Sequence, residues 1–235
     1  MDNKKKHIAS VSFGKDSLAM LLLLLENDYP LDEVVFYDTG KEFQAIYDTR
    51  DRVLPLLEKH GVKYVELKPE MSFDYKMFEK PVKKRGTNII HKYGYSWCGG
   101  TCRWGTTDKL KAIEKYAKGC IEYVGIAADE PQRLIKERKG NKRFVLTELG
   151  FTEADCLKKC YDNGFFWEEN GIHLYDILKR VSCWCCRNKN LKELENIYKY
   201  MPAYWDKLKE MQSRLKEPMK GEEKSIFDLE RRFNN

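Results

Sequence analysis

In the stretch His7-Ile8-Ala9-Ser10-Val11-Ser12-Phe13-Gly14-Lys15-Asp16-Ser17-Leu18 a β-rich run gives way, within a few residues, to a helical pattern. His7 to Phe13 reads as a strand and Ser17 to Asn27 as a helix. At such a junction the unpaired backbone N–H groups and the helix dipole favour an anion. Gly14 lets the backbone approach it, Ser12 and Ser17 add hydroxyl donors, and Lys15 brings a positive charge. The glycine spacing of the Gly-x-x-x-x-Gly-Lys-Ser/Thr phosphate loop is absent, and the same residues also fit a plain strand-to-helix turn with a good cap.

Outward from this junction, β-rich and helical stretches alternate. Glu33 to Asp38 reads as a strand, Phe43 to His60 as a helix ending at Gly61, Val62 to Leu67 as a strand, Thr106 to Ala117 as a helix and Cys120 to Ala127 as a strand. This order implies a Rossmann-like α/β fold, a parallel sheet with helices on both faces. Ligands of such sheets bind beyond the carboxyl ends of the strands. Between Lys80 and Gly105 the periodicity fails, which reads as a long excursion from the sheet. After Gly150 the strand pattern stops. Thr152 to Asp162 opens as a capped helix, Thr152 and Asp155 forming the capping pattern. Leu191, Leu194, Ile197, Tyr198 and Met201, then Trp205, Leu208, Met211 and Leu215, keep helical spacing either side of Pro202. The expected division is an α/β domain carrying the anion-favouring loop over 1–150, a C-terminal helical appendage over 151–216 and a charged tail over 217–235, where Ile226, Phe227, Leu229 and Phe233 could form a docking helix.

The 235 residues are 42% hydrophobic and 13% aromatic, which excludes a disordered chain and allows one main core with an extension. Charge is dense, 43 Lys and Arg against 37 Asp and Glu, and the net +6 suits a polyanionic ligand without requiring one. The longest apolar run, Leu18 to Leu25, is too short for a bilayer, and Met1 to Lys6 is charged with no signal-peptide pattern. A cytoplasmic protein with no membrane partner is expected. Its eight Cys should then be reduced, and clustered ones point to metal or sulfur chemistry.

Ser12-Phe13-Gly14-Lys15-Asp16-Ser17 resembles the pyrophosphate loop of the N-type ATP pyrophosphatases and the phosphoadenosine phosphosulfate (PAPS) reductase family, where Ser-x-Gly-x-Asp-Ser follows the first strand. Tyr37-Asp38-Thr39-Gly40 is similar to the family's Asp-Thr-Gly, and Gly125-Ile126-Ala127-Ala128-Asp129-Glu130 to its Gly-x-Arg-x-x-Glu segment. The resemblance implies an adenine nucleotide alpha hydrolase-like fold. It also implies nucleotide contacts at Ser10, Ser12, Phe13, Gly14, Lys15, Asp16, Ser17, Asp38, Thr39, Gly125, Ile126 and Glu130. Ala127 stands where many relatives carry Arg; Arg133, Arg103 or a Lys of Lys109-Leu110-Lys111 is the expected substitute. Lys15, Asp16, Asp38 and Arg103 form the expected catalytic set.

Cys98-Gly99-Gly100-Thr101-Cys102 and Cys183-Trp184-Cys185-Cys186 offer two thiol pairs. Four thiolates suit a tetrahedral Zn or a 4Fe–4S cluster, and small buried residues are the plainer alternative. Sulfonucleotide-reductase relatives hold a 4Fe–4S cluster in two such sets, which implies ligands at Cys98, Cys102, Cys183 and Cys186, with Cys185 as substitute. Cys120 is expected to pack in a strand, and Cys156 and Cys160 to be core or a sulfur relay.

Thioredoxin-dependent PAPS reductases carry a nucleophilic Cys near the C-terminus; in this sequence no Cys follows Cys186, and residues 187–235 lack His. The expected reaction is therefore cleavage of ATP between its α and β phosphates in thiolation-type sulfur transfer, with Mg held by Asp16 or Asp38. The alternatives are a PAPS or APS reductase using an internal Cys, and a nucleic-acid-binding module with a structural zinc. Lys83-Lys84-Arg85 and Lys136 to Arg143 could follow a nucleic-acid backbone, or be solvated faces. His91, Tyr93, Tyr95 and Trp97 could stack a base, with packing of the excursion the favoured role. Expected partners are the adenine nucleotide, a tRNA or DNA acceptor, a sulfur donor protein, and a second copy in a homodimer.

Overall fold

A computed structural model describes residues 5–98, 101–137 and 140–235. Gly99 and Gly100, between the first two candidate ligands, and Arg138 and Lys139, in the second basic stretch, lie outside the described residues. The chain forms two compact units: Met1–Asp38, Phe43–Lys68 and Leu110–Glu168 in the first, and Thr39–Glu42, Pro69–Lys109 and Glu169–Asn235 in the second.

The elements in chain order are β1 His7–Ser10, α1 Lys15–Glu26, β2 Glu33–Tyr37, α2 Gln44–Lys59, β3 Lys63–Leu67, β4 Pro81–Lys83, β5 Ile90–Tyr93, α3 Lys109–Tyr116, β6 Ile121–Val124, α4 Pro131–Glu137, β7 Lys142–Arg143, α5 Val145–Glu148, α6 Glu153–Asp162, β8 Glu168–Glu169, β9 Ile172–His173, α7 Leu174–Ile177, α8 Leu191–Tyr200, α9 Pro202–Ser213 and α10 Ile226–Asn234. Two π-helical turns, Tyr75–Glu79 just before the excursion and Arg103–Asp108 at its end, bracket it.

The first unit is an α/β layer whose five-stranded sheet has the order β3-β2-β1-β6-β7, every pairing parallel. Its central strands are apolar and enclosed: Ile8, Ala9, Val34, Val35 and Tyr123 have no exposed surface, as a parallel sheet covered by helices requires. Helix α1 buries residues around most of its circumference because Leu21 to Leu24 leave it no polar face; it packs on α6. Helix α6 opens with the expected capping box, Thr152 and Asp155 each satisfying the other's backbone N–H. Glu33 opens β2 almost fully buried, held by Lys6 at 2.5 Å and the Tyr116 hydroxyl at 2.6 Å.

Strand β1 ends at Ser10 rather than Phe13, since Phe13 takes a left-handed conformation (φ 57°) that turns the backbone out of the sheet. Thr106–Asp108 is π-helical, and α3 begins only at Lys109. The fifth strand, β7, was not legible because two charged residues carry no apolar period.

In the second unit β4 and β5 form an antiparallel hairpin, and α8, α9 and α10 pack together. Pro202 sits in the first turn of α9, where its missing N–H costs nothing. Helix α10 buries Ile226 and Leu229, and Phe233 meets Tyr198 and Trp205 at 5.9 Å. Among the described residues no helix is long and apolar enough to cross a membrane.

Candidate nucleotide loop and cysteine group

In the first unit, Ser12 to Ser17 bridges the carboxyl end of β1 and the start of α1. The loop is closed by its own serines. Ser12 N–H donates to Ser17 Oγ (3.1 Å), the two hydroxyls lie 3.1 Å apart, and Ser17 Oγ donates to Gly14 O at 3.1 Å. Phe13 in the left-handed region stores roughly 1–3 kcal/mol of strain. The surroundings hold it there: its ring is fully buried, edge-on to Phe36 at 5.2 Å, and Trp167 Nε1 donates to its carbonyl at 2.8 Å. Gly14 caps α1 without a side chain, and the first turn beyond it carries N–H groups the helix cannot satisfy itself. Ser10 lies just upstream, its hydroxyl donating to Glu122 at 2.6 Å.

Lys15 does not stand alone in the loop. Its ammonium meets Asp16 at 2.7 Å and Glu153 of α6 at 2.6 Å. Burial works to lower its pKa, but the hydrogen bonds to Asp16 and Glu153 outweigh that and leave it above 10.5. Burial raises the Asp16 carboxyl above 3.8, against the pull of Lys15. Cys156 and Cys160 lie in α6 beneath the loop, both without exposed surface, and Cys160 Sγ donates to Lys15 O at 3.4 Å. Burial first, then the Asp16 charge, pushes Cys156 up to about 12; Cys160 is raised further by burial and Cys156.

Gly125, just past β6, lies against the same loop. A Cβ there would fall 2.9 Å from Ser17 Cα and 3.0 Å from both Asp16 O and Ser17 N. The backbones approach so closely that only glycine fits. Ile126 is buried and accepts from Thr147 Oγ1 at 3.0 Å. Glu130 pairs with Arg133 at 2.5 Å, and Asp129 accepts from Glu153 N–H at 3.0 Å. Asp38 closes β2 in register with β3, its N–H on Leu67 O, and accepts from the Tyr47 hydroxyl at 2.8 Å. Glu153 and Trp167, which fix Lys15 and Phe13, have no local signal, since each acts across more than 130 residues of sequence.

The second unit holds the remaining expected residues. Thr39 donates to Glu42 at 2.9 Å. Arg103 is exposed, its guanidinium over the Tyr95 ring at 4.8 Å. A Cβ on Gly105 would lie 3.4 Å from Cys102 Sγ and 3.7 Å from Cys183 Sγ, so these two sulfurs, far apart in sequence, flank one point. Gly105 N–H donates to Cys102 Sγ at 3.3 Å, and Cys183 and Cys186 share one turn through Cys186 N–H to Cys183 O at 3.2 Å. Burial, then Glu42, holds the Cys183 thiol well above its usual pKa, and burial does the same for Cys185. Lys189, only 4% exposed, has Cys186, Glu193, Cys183 and Cys185 as charged or ionisable neighbours, and burial lowers its pKa. No three His, Cys, Asp or Glu side chains among the described residues converge as a metal-binding group. The donor chemistry nonetheless suits a metal thiolate centre: soft sulfurs, two of them, Cys102 and Cys183, within 3.7 Å of one point.

A sequence model of the phosphoadenosine phosphosulfate reductase domain matches residues 6–137. An uncharacterized protein of Methanocaldococcus jannaschii is 26% identical over 223 residues, covering 87% of this chain and 41% of that protein. The chain thus spans less than half the length of this curated relative. Among solved structures, the U34-tRNA thiolase NcsA from Methanococcus maripaludis with its 4Fe–4S cluster shares 15% identity at a TM-score of 0.47, over 99% of this chain and 71% of that one. At that score the likeness is too loose to support a functional reading.

Proposed function

The chain belongs to the phosphoadenosine phosphosulfate reductase domain family, and on that premise we propose that it binds ATP at Ser12 to Ser17 and cleaves it to AMP and pyrophosphate in a thiolation-type sulfur transfer. The observation that carries this is the loop itself, a strained, serine-closed turn at a strand's carboxyl end, held against Gly125 so tightly that no side chain fits. An acceptor oxygen attacks the α-phosphorus; that P–O bond forms, the bond to the bridging oxygen breaks, and pyrophosphate leaves with the electron pair. Backbone N–H groups at the start of α1, with Ser12 and Ser17, stabilise the charge developing on the departing phosphates. Lys15, tied to Glu153 and Asp16, sets the local charge. Asp38, oriented by Tyr47, is the proposed magnesium contact, with Asp16 as its companion. Arg103 and Arg133 remain proposals for the charge missing at Ala127. A sulfur nucleophile then displaces AMP from the activated acceptor, forming C–S and breaking C–O.

Cys98, Cys102, Cys183 and Cys186 are the proposed ligands of a 4Fe–4S cluster, with zinc the alternative for the same sulfurs. Such a cluster supplies soft iron sites and redox chemistry when bound. Reduction of a sulfonucleotide by an internal thiol of the first unit is disfavoured, because Cys156 and Cys160 are enclosed and stay protonated. The test is to incubate the anaerobically prepared protein with ATP, a tRNA or DNA acceptor and inorganic sulfide, or with PAPS and a thiol, and measure pyrophosphate, AMP and sulfite. Pyrophosphate lost in Asp38→Asn supports the proposal; thiol-dependent sulfite from PAPS with no pyrophosphate from ATP overturns it.

A further inference from the structure

Residues 80–107 carry Lys80, Lys83, Lys84, Arg85, Lys92 and Arg103 and no Asp or Glu, in a chain where acids and bases are otherwise nearly balanced. The centre of that window is the β4–β5 hairpin, in which residues 83–91 are all exposed. Its apolar side chains also face water: Ile89 is 60% exposed and Tyr93 67%. A lone two-stranded hairpin is marginal in water, so its base must be held. Gly94 (φ 69°) passes so close to the π-helical turn Tyr75–Glu79 that a Cβ would collide with the Met77 carbonyl. Backbone bonds Gly94 N–H to Lys80 O (2.8 Å), Tyr95 N–H to Lys76 O (3.0 Å) and Ser96 N–H to Met77 O (3.0 Å) pin it there. The tip is shaped by its own backbone: Gly86 is left-handed, Thr87 N–H donates to Lys84 O at 3.1 Å, and Lys84 N–H donates to Ile89 O at 2.9 Å. No carboxylate pairs with Lys83, Lys84 or Arg85 among the described residues; Lys83 reaches only Asn88, at 3.0 Å. In the other basic stretch, Arg143 is engaged by Glu148 at 2.6 Å and lies over Tyr29 and Tyr123.

We infer that the β4–β5 hairpin is a docking arm for a single-stranded nucleic acid, with Lys83, Lys84 and Arg85 on consecutive phosphates and Tyr93 stacked on a base. A fixed base, a cationic tip without acids and an exposed aromatic ring are the parts that sequence-tolerant strand binding uses. The inference deepens the function proposed above by naming the acceptor class, and rests on it only for what is done to the strand, since binding is measured without nucleotide.

The test is fluorescence anisotropy of the full chain with a labelled single-stranded RNA and the matching DNA, across a salt series. Wild type binds, and its log affinity falls with log salt. The K83Q/K84Q/R85Q variant flattens that slope by about 2 in magnitude, from roughly 0.7 per phosphate contact on single strands. Tyr93→Ala weakens binding by about tenfold at constant slope. RNA preferred over DNA, or the reverse, assigns the strand type, and either supports the arm. An unchanged slope in the triple variant overturns it. So does polyglutamate competing equally well with Tyr93→Ala without effect, which would make the arm a site for an acidic protein. Unaltered thermal unfolding checks that these exposed substitutions leave the fold intact. Pyrophosphate release, assayed separately at saturating strand, reads ATP cleavage apart from strand binding, so failure of the one is distinguished from failure of the other.

Discussion

Replacing Gly125 by Ala tests the contact on which the nucleotide loop depends. The added methyl would lie 2.9 Å from Ser17 Cα and 3.0 Å from Asp16 O and Ser17 N, whereas ordinary contacts begin at 3.4 Å. About half an ångström must be gained. All three neighbours are backbone, so no rotamer can swing away; either the end of β6 or the first turn of α1 has to move. Gly125 is outside the left-handed region, so the change probes crowding alone. Overpacking of this kind costs ~1–3 kcal/mol. The atoms displaced are those proposed to face phosphate, so nucleotide affinity should fall by about tenfold, the equivalent of one weakened charge-assisted hydrogen bond. Denaturant unfolding reads the first effect and ATP titration calorimetry the second. If G125A unfolds at the wild-type denaturant concentration and binds ATP as wild type does, the close approach is not what shapes the loop.

Glu153→Gln removes a negative charge from Lys15 and should tighten ATP binding a few-fold while costing about 1 kcal/mol or less, since Glu153 is partly exposed; weaker binding in the titration would contradict that role for Lys15. At Glu33, burial raises the pKa, but hydrogen bonds from Lys6 and Tyr116 outweigh it, leaving the carboxyl below its ordinary 4.5. Its stabilisation is therefore present above pH 4.5 and lost as pH falls through the lower folded value; Glu33→Gln should flatten the acid limb of the stability curve, and an unchanged limb would refute the assignment. Cys156 and Cys160 should resist iodoacetamide in the native protein at mildly alkaline pH and react only on unfolding, because both thiols are enclosed and protonated; native labelling, read by peptide mass, would reopen them as nucleophiles.

The parallel sheet could be read in the sequence because runs such as Val34 to Tyr37 are buried on both faces and therefore continuously apolar. The loop could be read because Gly14, Asp16 and the two serines are local. Strand β7 and the β4–β5 hairpin could not, being short or exposed and so free of any hydrophobic period. The partners that give the loop its character, Glu153 and Trp167, arrive from α6 and the end of the first unit, and only the tertiary fold brings them in. Ala127 raised the question of a replacement charge, and Arg133 was one answer; its pairing with Glu130 shows what it must release to serve. The cysteines divide similarly: spacing singled out two pairs, but only packing around Gly105 sets Cys102 beside Cys183. Tyr93 and Trp97 looked alike in sequence, yet Trp97 is buried and Tyr93 faces water.

The central claim concerns which bond of ATP breaks. Phosphorus NMR of an anaerobic reaction holding the protein, ATP, magnesium, a single-stranded nucleic-acid acceptor and inorganic sulfide as the sulfur source resolves the products directly. The account predicts AMP and pyrophosphate in equal amounts, both suppressed by Asp38→Asn. ADP with orthophosphate, or unchanged ATP despite bound nucleotide and bound strand, would contradict it.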